Sequence, residues 1–445
     1  MKTTRLALAA LFALPAFAKK PVTPGKDFVW GVGNSAFQVE GQPLDSDWRQ
    51  WTRTPGKIKD GTNAEIATDF WNRYEEDLDL AKKLGAGVFR ISIAWERVET
   101  KQGVWDEAAL DHYERILVAM RARGLEPLVT IHHFVIPAWL YSQGGAEAKD
   151  YPKLFARYAE KVVRRLSKKP ARVKWWMTMN EPMGQAFTSF MAPLWPPGVQ
   201  DPSRAAVAAA NFAEAHVRAY KAIRAIPGLP ADVKIGVAAN WPVMEVRGTL
   251  VFDSPLGYLA NWSSNYQWVN AVQSGNLDFW VPAGKPVQRK IAVPKEGTLD
   301  FLGINYYARK FMRVKPLEGK FLEYGEGPGP KSDIGWEMYP EGLYQALKSA
   351  WRYRLPILVS ENGVADADDK WRGWFLKENL KQIARARKKG IDVFGYVHWS
   401  LTDNFEWAEG ESMRFGLVEV DYKTLEKTPR KSFGLFRDLI RQGME

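Results

Sequence analysis

An alternation that repeats eight times limits this chain more than any other feature. A short apolar run is followed each time by a longer stretch of helical pattern. The apolar runs are Phe28–Gly33, Val88–Ile93, Leu125–Ile131, the run from Trp175 that Pro182 closes off, Val233–Ala239, Leu299–Asn305, Ile357–Ser360 and Val393–His398. The pattern predicts helices over Asp69–Leu84, Asp106–Arg123, Tyr151–Leu166, Ser203–Ile226, Leu256–Gln273, Glu341–Tyr353, Trp371–Lys389 and Ser432–Gln442. Gly85, Gly124 and Pro227-Gly228 supply stops, and Asp150 with Pro152 supplies a start. Strands alternating with helices build a parallel sheet, and eight pairs is the count of a closed (β/α)8 barrel. The expected fold class is therefore α/β, one TIM barrel. At 445 residues, 46% of them hydrophobic, the chain can fill so large a core.

The rival is an open, doubly wound sheet with a nucleotide site. Gly31-Val32-Gly33-Asn34-Ser35-Ala36 fits the loose dinucleotide pattern. A helix should then open, and Gly41 and Pro43 block it. Gly325–Ser332 approaches a phosphate loop, but Pro330 stands where a glycine must precede the lysine.

Met1–Ala18 reads as a secretory leader. Lys2 and Arg5 open it, Leu6–Phe17 is apolar, and Ala16-Phe17-Ala18 is a small-x-small cleavage site. The run is too short to span a bilayer. The barrel is thus expected over 19–445, exported to a periplasm or the medium and free of the membrane once cleaved. Cysteine is absent, so stability must come from packing rather than disulfides. The net charge of +11 raises nucleic acid as a partner. The basic clusters argue otherwise. Arg164-Arg165 with Lys168-Lys169, and Arg385 with Arg387-Lys388-Lys389, fall near helix C-termini, where cations complement the dipole.

In a barrel of this kind the chemistry collects at the carboxyl ends of the strands. Those ends carry Gln38, Arg90, His132-His133, Asn180-Glu181, Asn305-Tyr306, Glu361-Asn362-Gly363 and Trp399, with Glu406-Trp407 just beyond. Two carboxyls flanking one bond are the machinery of glycoside cleavage, one protonated and one ionised. Glu181 and Glu361 end the fourth and seventh strands and can face one cavity. Arg90 could hold one of them ionised, and Tyr306 could donate to the same carboxylate. Indoles stack on the C–H faces of sugars, and Trp95, Trp139, Trp399 and Trp407 lie near strand ends; Trp30, Trp175 and Trp351 read as core. His132 and His133 are adjacent on a strand, so only one can enter the cavity. No metal-ligand spacing and no Gly-x-Ser-x-Gly elbow occurs.

These motifs together resemble glycoside hydrolase family 1, the retaining β-glucosidase and β-galactosidase family. They occur in the family's order: Phe37-Gln38-Val39-Glu40-Gly41, Phe89–Trp95, Thr178-Met179-Asn180-Glu181-Pro182, Gly335–Pro340, Ser360-Glu361-Asn362-Gly363 and Trp399–Trp407. The resemblance implies that Glu181 is the acid/base and Glu361 the nucleophile. It implies that Asn180 holds the sugar 2-hydroxyl, that Gln38, His133, Trp399, Glu406 and Trp407 hold the non-reducing-end sugar, and that Arg90 and Tyr306 orient the nucleophile. No cofactor or metal is implied. Glu406 favours a small neutral carbohydrate over a 6-phosphorylated one. Met183–Trp195, on the route to the leaving-group side, departs from the family's pattern, as does His132-His133-Phe134. The expected activity is that of a retaining exo-β-glycosidase. The alternatives are a transglycosylase and a non-catalytic sugar-binding protein on the same barrel.

Overall fold

The structure is a computed structural model that describes residues 28–247, 253–315 and 320–444. The expected leader, Met1–Ala18, lies outside the described residues. Eight parallel strands close into a barrel: β1 (Val29–Gly33), β2 (Val88–Ser92), β3 (Glu126–His132), β4 (Trp175–Asn180), β5 (Lys234–Asn240), β6 (Leu302–Asn305), β7 (Ile357–Asn362) and β8 (Val393–Trp399). Each strand pairs with its neighbours in sequence, and β1 closes the ring on β8, with Val29 opposite Gly395 and Gly33 opposite Trp399. The expected barrel is what the chain forms.

The main helices are α1 (Phe70–Leu84), α2 (Glu107–Ala122), α3 (Tyr151–Leu166), α4 (Pro182–Phe190), α5 (Pro202–Arg224), α6 (Gln267–Ser274), α7 (Glu341–Ala350), α8 (Arg372–Lys388) and α9 (Lys431–Gln442). Gly85 ends α1 in the left-handed region, at φ +87°. Asp106 and Asp201 cap α2 and α5 through their side chains, whereas Asp150 makes no side-chain cap to α3. One short helix runs against expectation: Ala36–Val39 makes a single turn after β1 and stops before Gly41, at φ +74°. Gly41 and Pro43 limit that helix to one turn rather than abolish it.

Two apolar layers hold the barrel. The outer layer packs strands against helices around residues such as Phe89, Ile91, Trp176, Ile304, Leu347 and Val359. The inner layer fills the middle of the barrel with Val88, Leu128, Met177, Phe301, Leu358 and Val397. Phe301 fits because Gly236 opposite it has no side chain; a Cβ there would stand 2.6 Å from the ring. Trp175 and Phe394 pack against this layer. The middle of the barrel is therefore filled with apolar side chains; below it a cavity of about 320 Å³ opens among Phe28, Trp30, Leu128, Trp175 and Phe394, and above it, at the carboxyl ends of the strands, the polar side chains gather. Trp30 is a core residue as expected, whereas Trp175 and Trp351 are half-buried and pack against the core from its edge. Trp95 and Trp139 do not face the cavity: Trp95 is buried against Tyr158, Phe155 and Tyr151, with Trp139 at its edge.

Part of the basic helix ends is engaged locally. Arg164 pairs with Glu160, Arg165 with Asp111 and Glu114, and Arg387 donates to the Val393 carbonyl. Among the described residues no helix is long and apolar enough to cross a membrane.

Candidate active site

Glu181 sits at the turn from β4 into α4. Pro182 cannot donate a backbone N–H and occupies the first helical position, where none is needed. Glu181 itself adopts a left-handed backbone, φ +42°, which only a closely packed surrounding sustains. Its Oε1 accepts from Asn305 Nδ2 at 2.8 Å. Burial pushes its carboxyl up to about 8, and the charge of Glu361 adds to the rise. The side chain is thus a carboxylic acid at neutral pH.

Glu361 is the last residue but one of β7 and is buried. One oxygen meets Arg90 Nη1 in an ion pair, and the other accepts from the Tyr307 hydroxyl at 2.7 Å. Arg90 is fixed in turn by Thr130 Oγ1 (3.0 Å) and Asn180 Oδ1 (2.8 Å). Asn305 joins the two sides. Its amide N–H groups reach both Glu181 Oε1 and Asn180 Oδ1 (3.1 Å), and its carbonyl accepts from Ser360 Oγ (2.7 Å). A continuous chain of polar contacts therefore runs from the protonated carboxyl to the ion-paired one. Each donor in it comes from a different strand, so the spacing is set by the barrel.

A second group lines one flank. Gln38 Nε2 donates to Asn404 Oδ1 at 2.8 Å and faces Glu406 Oε2 at 3.3 Å, while Ser35 Oγ holds the Gln38 carbonyl at 2.6 Å. The His133 ring lies nearly parallel to both Trp399 and Trp407, 5.9 Å from each, and its Nε2 stands 3.2 Å from Asn180 Nδ2. Burial and the Arg90 charge hold His133 neutral, well below its usual range. His132 turns away to Gln185 and the rings of Phe155 and Phe212. Burial, and next the Glu361 charge, pushes Glu406 up to about 8.

The loop bearing Glu406 and Trp407 is clamped from outside. Glu406 N–H donates to the Gly410 carbonyl at 2.7 Å, closing a tight turn. Asp60 Oδ2 accepts from the N–H groups of Glu411 (2.7 Å) and Ser412 (2.9 Å), and Lys59 Nζ meets Glu409 at 2.6 Å. A Cβ at Gly410 would collide with Asp60, so the turn needs glycine there.

The structure gathers Glu181, Glu361, Arg90, Asn180, Gln38, His133, Trp399, Glu406 and Trp407 in this network. It corrects one expectation. Tyr306 does not reach Glu361; its hydroxyl donates to the Tyr339 carbonyl at 2.6 Å, beneath α7. Side chains alternate along a strand, so if Asn305 faces the cavity then Tyr306 faces the helices and Tyr307 the cavity. That parity was the available signal for Tyr307. Asn404 and Asp60 gave no such signal, since their partners lie hundreds of residues away in sequence. Among the described residues no group of three or more His, Cys, Asp or Glu side chains is placed to hold a metal ion.

A neutral carboxyl and an ion-paired carboxylate share one cavity at the top of a barrel, beside indoles and amides. That arrangement defines the class: a hydrolase of O-glycosyl bonds. The chain belongs to glycosyl hydrolase family 1, whose family model matches residues 22–444. It is 32% identical to β-glucosidase A of Thermotoga maritima, over 94% of this chain and 98% of that one. It is 29% identical to a β-galactosidase of Pyrococcus woesei, over 93% and 96%. A β-glycosidase structure from Pyrococcus horikoshii matches with a TM-score of 0.84 at 33% identity, covering 95% of each chain. A Thermotoga maritima β-glucosidase in complex with glucoimidazole matches at 0.85 and 30% identity, covering 94% of this chain and 98% of that one.

Proposed function

We propose that this protein removes single sugars from the non-reducing ends of non-phosphorylated β-glycosides, β-glucosidase-like, with retention of configuration. The observation that carries the reading is the contrast between the two carboxyls: burial keeps a proton on Glu181, while Arg90 and Tyr307 hold Glu361. Glu361 attacks the anomeric carbon as Glu181 gives its proton to the leaving oxygen, and a glycosyl ester forms on Glu361. Esterification removes the charge of Glu361, which had raised Glu181. Glu181 then accepts a proton from water, and that water hydrolyses the ester. Asn180 sits between Arg90 and His133, suited to the sugar 2-hydroxyl. Gln38, Glu406, His133, Trp399 and Trp407 offer the remaining hydroxyl and stacking contacts. A phosphate on the sugar would bring negative charge near the Glu361 carboxylate, and Glu406, held protonated by burial, offers it no cation, which supports a neutral glycone.

The leader-like Met1–Ala18 supports export, checked by the N-terminal sequence of the protein recovered from a periplasmic extract or the medium. The activity itself is tested with a panel of nitrophenyl β-glycosides. Release of nitrophenol from at least one β-glycoside supports the reading. Binding of sugar without release from any of them would favour a sugar-binding protein instead.

A further inference from the structure

Gln38 stands on a piece of helix that cannot hold itself. The turn Ala36–Val39 has four residues, and a single turn is not stable alone in water. Its cap position gives no help, because Ser35 turns its hydroxyl to the Gln38 carbonyl and makes no side-chain cap. The support comes from β2 instead. Ala36 N–H donates to Ser92 Oγ at 2.7 Å, and one step earlier Asn34 N–H donates to the Arg90 carbonyl at 2.9 Å.

The far end of the turn is held by Arg97, on the short helix Trp95–Val98 that follows β2. Arg97 Nε donates to Glu40 Oε2 at 2.9 Å, and its Nη2 donates to the carbonyls of Gly41 (2.5 Å) and Gln42 (3.0 Å). The other Glu40 oxygen accepts from the Tyr113 hydroxyl at 2.8 Å, and that hydroxyl accepts from Ala94 N–H at 3.0 Å. The Trp71 ring lies against the guanidinium, 4.1 Å away, while Trp71 N–H donates to the Glu40 carbonyl at 3.2 Å. Glu40 and Arg97 are both buried. A buried ion pair is weak support for stability. What this one fixes is where the turn ends, two residues beyond Gln38. A guanidinium can serve one carboxylate and two carbonyls from a rigid fork, and an ammonium cannot keep that geometry.

We infer that Arg97 and Ser92 are positioning residues for the sugar. Ser92 fixes the start of the turn and Arg97, through Glu40 and the backbone of Gly41 and Gln42, fixes its end. Between them they set the Gln38 amide against Asn404 and Glu406, and with it the grip on the non-reducing-end sugar. Both belong to β2 and the helix after it, the strand whose Arg90 holds Glu361. The sugar contact and the attacking carboxylate are thereby placed in one frame. The inference rests on the glycosidase reading above, in which Gln38 touches that sugar.

The test is a double-mutant cycle on the glycoside that the nitrophenyl panel selects. Each rate is expressed per site titrated with a 2-deoxy-2-fluoro glycoside, so unfolded protein does not count. Arg97→Lys keeps the charge and loses the fork, and kcat/KM should fall about tenfold, the worth of one hydrogen bond to a charged group. Made in Gln38→Ala, the same change should cost less than about twofold, because the contact it serves is already gone. A role in general stability would cost the same in both backgrounds. Ser92→Ala, which unpairs Ala36 N–H, should behave alike, and it decides the matter if Arg97→Lys gives no titratable site. Equal costs with and without Gln38, no cost in Arg97→Lys or Ser92→Ala, or a Gln38→Ala enzyme as active as the wild type would each overturn the inference and leave the glycosidase reading standing. No release from any nitrophenyl glycoside would overturn both.

Discussion

If Glu361 helps to hold a proton on Glu181, then removing its charge should release that proton. Glu361→Gln keeps the shape and deletes the charge. In the wild type Glu181 is raised from 4.5 to about 8. At pH 7 that leaves about nine in ten molecules protonated, against about three in a thousand at 4.5. A retaining pair stands ~5–5.5 Å apart. Two unit charges at that separation, at an effective dielectric constant of ~20, repel by about 3 kcal/mol, which is about two pKa units. Glu181 should therefore titrate near 6 in Glu361→Gln, and not fall to 4.5, because burial is the larger cause of its rise. Carbon-13 NMR of carboxyl-labelled glutamate, assigned with Glu181→Gln, measures the midpoint directly. A midpoint still near 8 would show that the two carboxyls do not sense one another, and the switch of Glu181 from acid to base would lose its cause. The Gln variant also mimics the glycosyl ester, in which Glu361 is likewise uncharged.

Tyr307→Phe removes a hydrogen bond to a charged carboxylate, worth about 1.5–3 kcal/mol, so kcat/KM should fall by about 10- to 150-fold. Tyr306→Phe should change kcat/KM by less than about threefold and show its cost, ~1 kcal/mol, in urea unfolding. Asp60→Ala frees the turn that carries Glu406 and Trp407, so steady-state kinetics should show KM rising about tenfold with kcat nearly kept. Glu406 has a folded pKa of about 8 against 4.5 when unfolded. The folded state binds that proton more tightly, so the stability it contributes is full below 4.5 and is lost as pH rises through 8. Glu406→Gln has no charge to strand, and unfolding at pH 5 and 9 should show the variant gaining a few kcal/mol on the wild type at the alkaline end.

The barrel was legible because its strands are apolar runs cut off by glycine, proline or polar residues, a local pattern that survives folding. β4 is marked at its end by Pro182, and Tyr151–Leu166 falls where its periodicity places it. The carboxyl pair was legible for the same reason, since both glutamates end such runs. Facing was harder. Tyr306 and Tyr307 are equally aromatic, and only strict counting of strand parity separates the one under α7 from the one at Glu361. The tryptophans show a different limit. Trp95 and Trp399 both lie near strand ends, yet Trp95 is enclosed by helix-layer aromatics while Trp399 faces His133. Enclosure depends on which helices pack over a residue, and that is not written beside it in the chain. The Asp60 clamp lies further still from local pattern, because it joins the loop before α1 to the loop after β8.

The central claim is that Glu361 forms the covalent bond to the sugar. Trapping with a 2-deoxy-2-fluoro β-glycoside that carries an activated leaving group, followed by peptide mass spectrometry, tests it most directly. One sugar per chain on the peptide bearing Glu361, with activity lost in step, is the result expected. A label on Glu181 or Glu406, or inactivation with no covalent sugar, would contradict it.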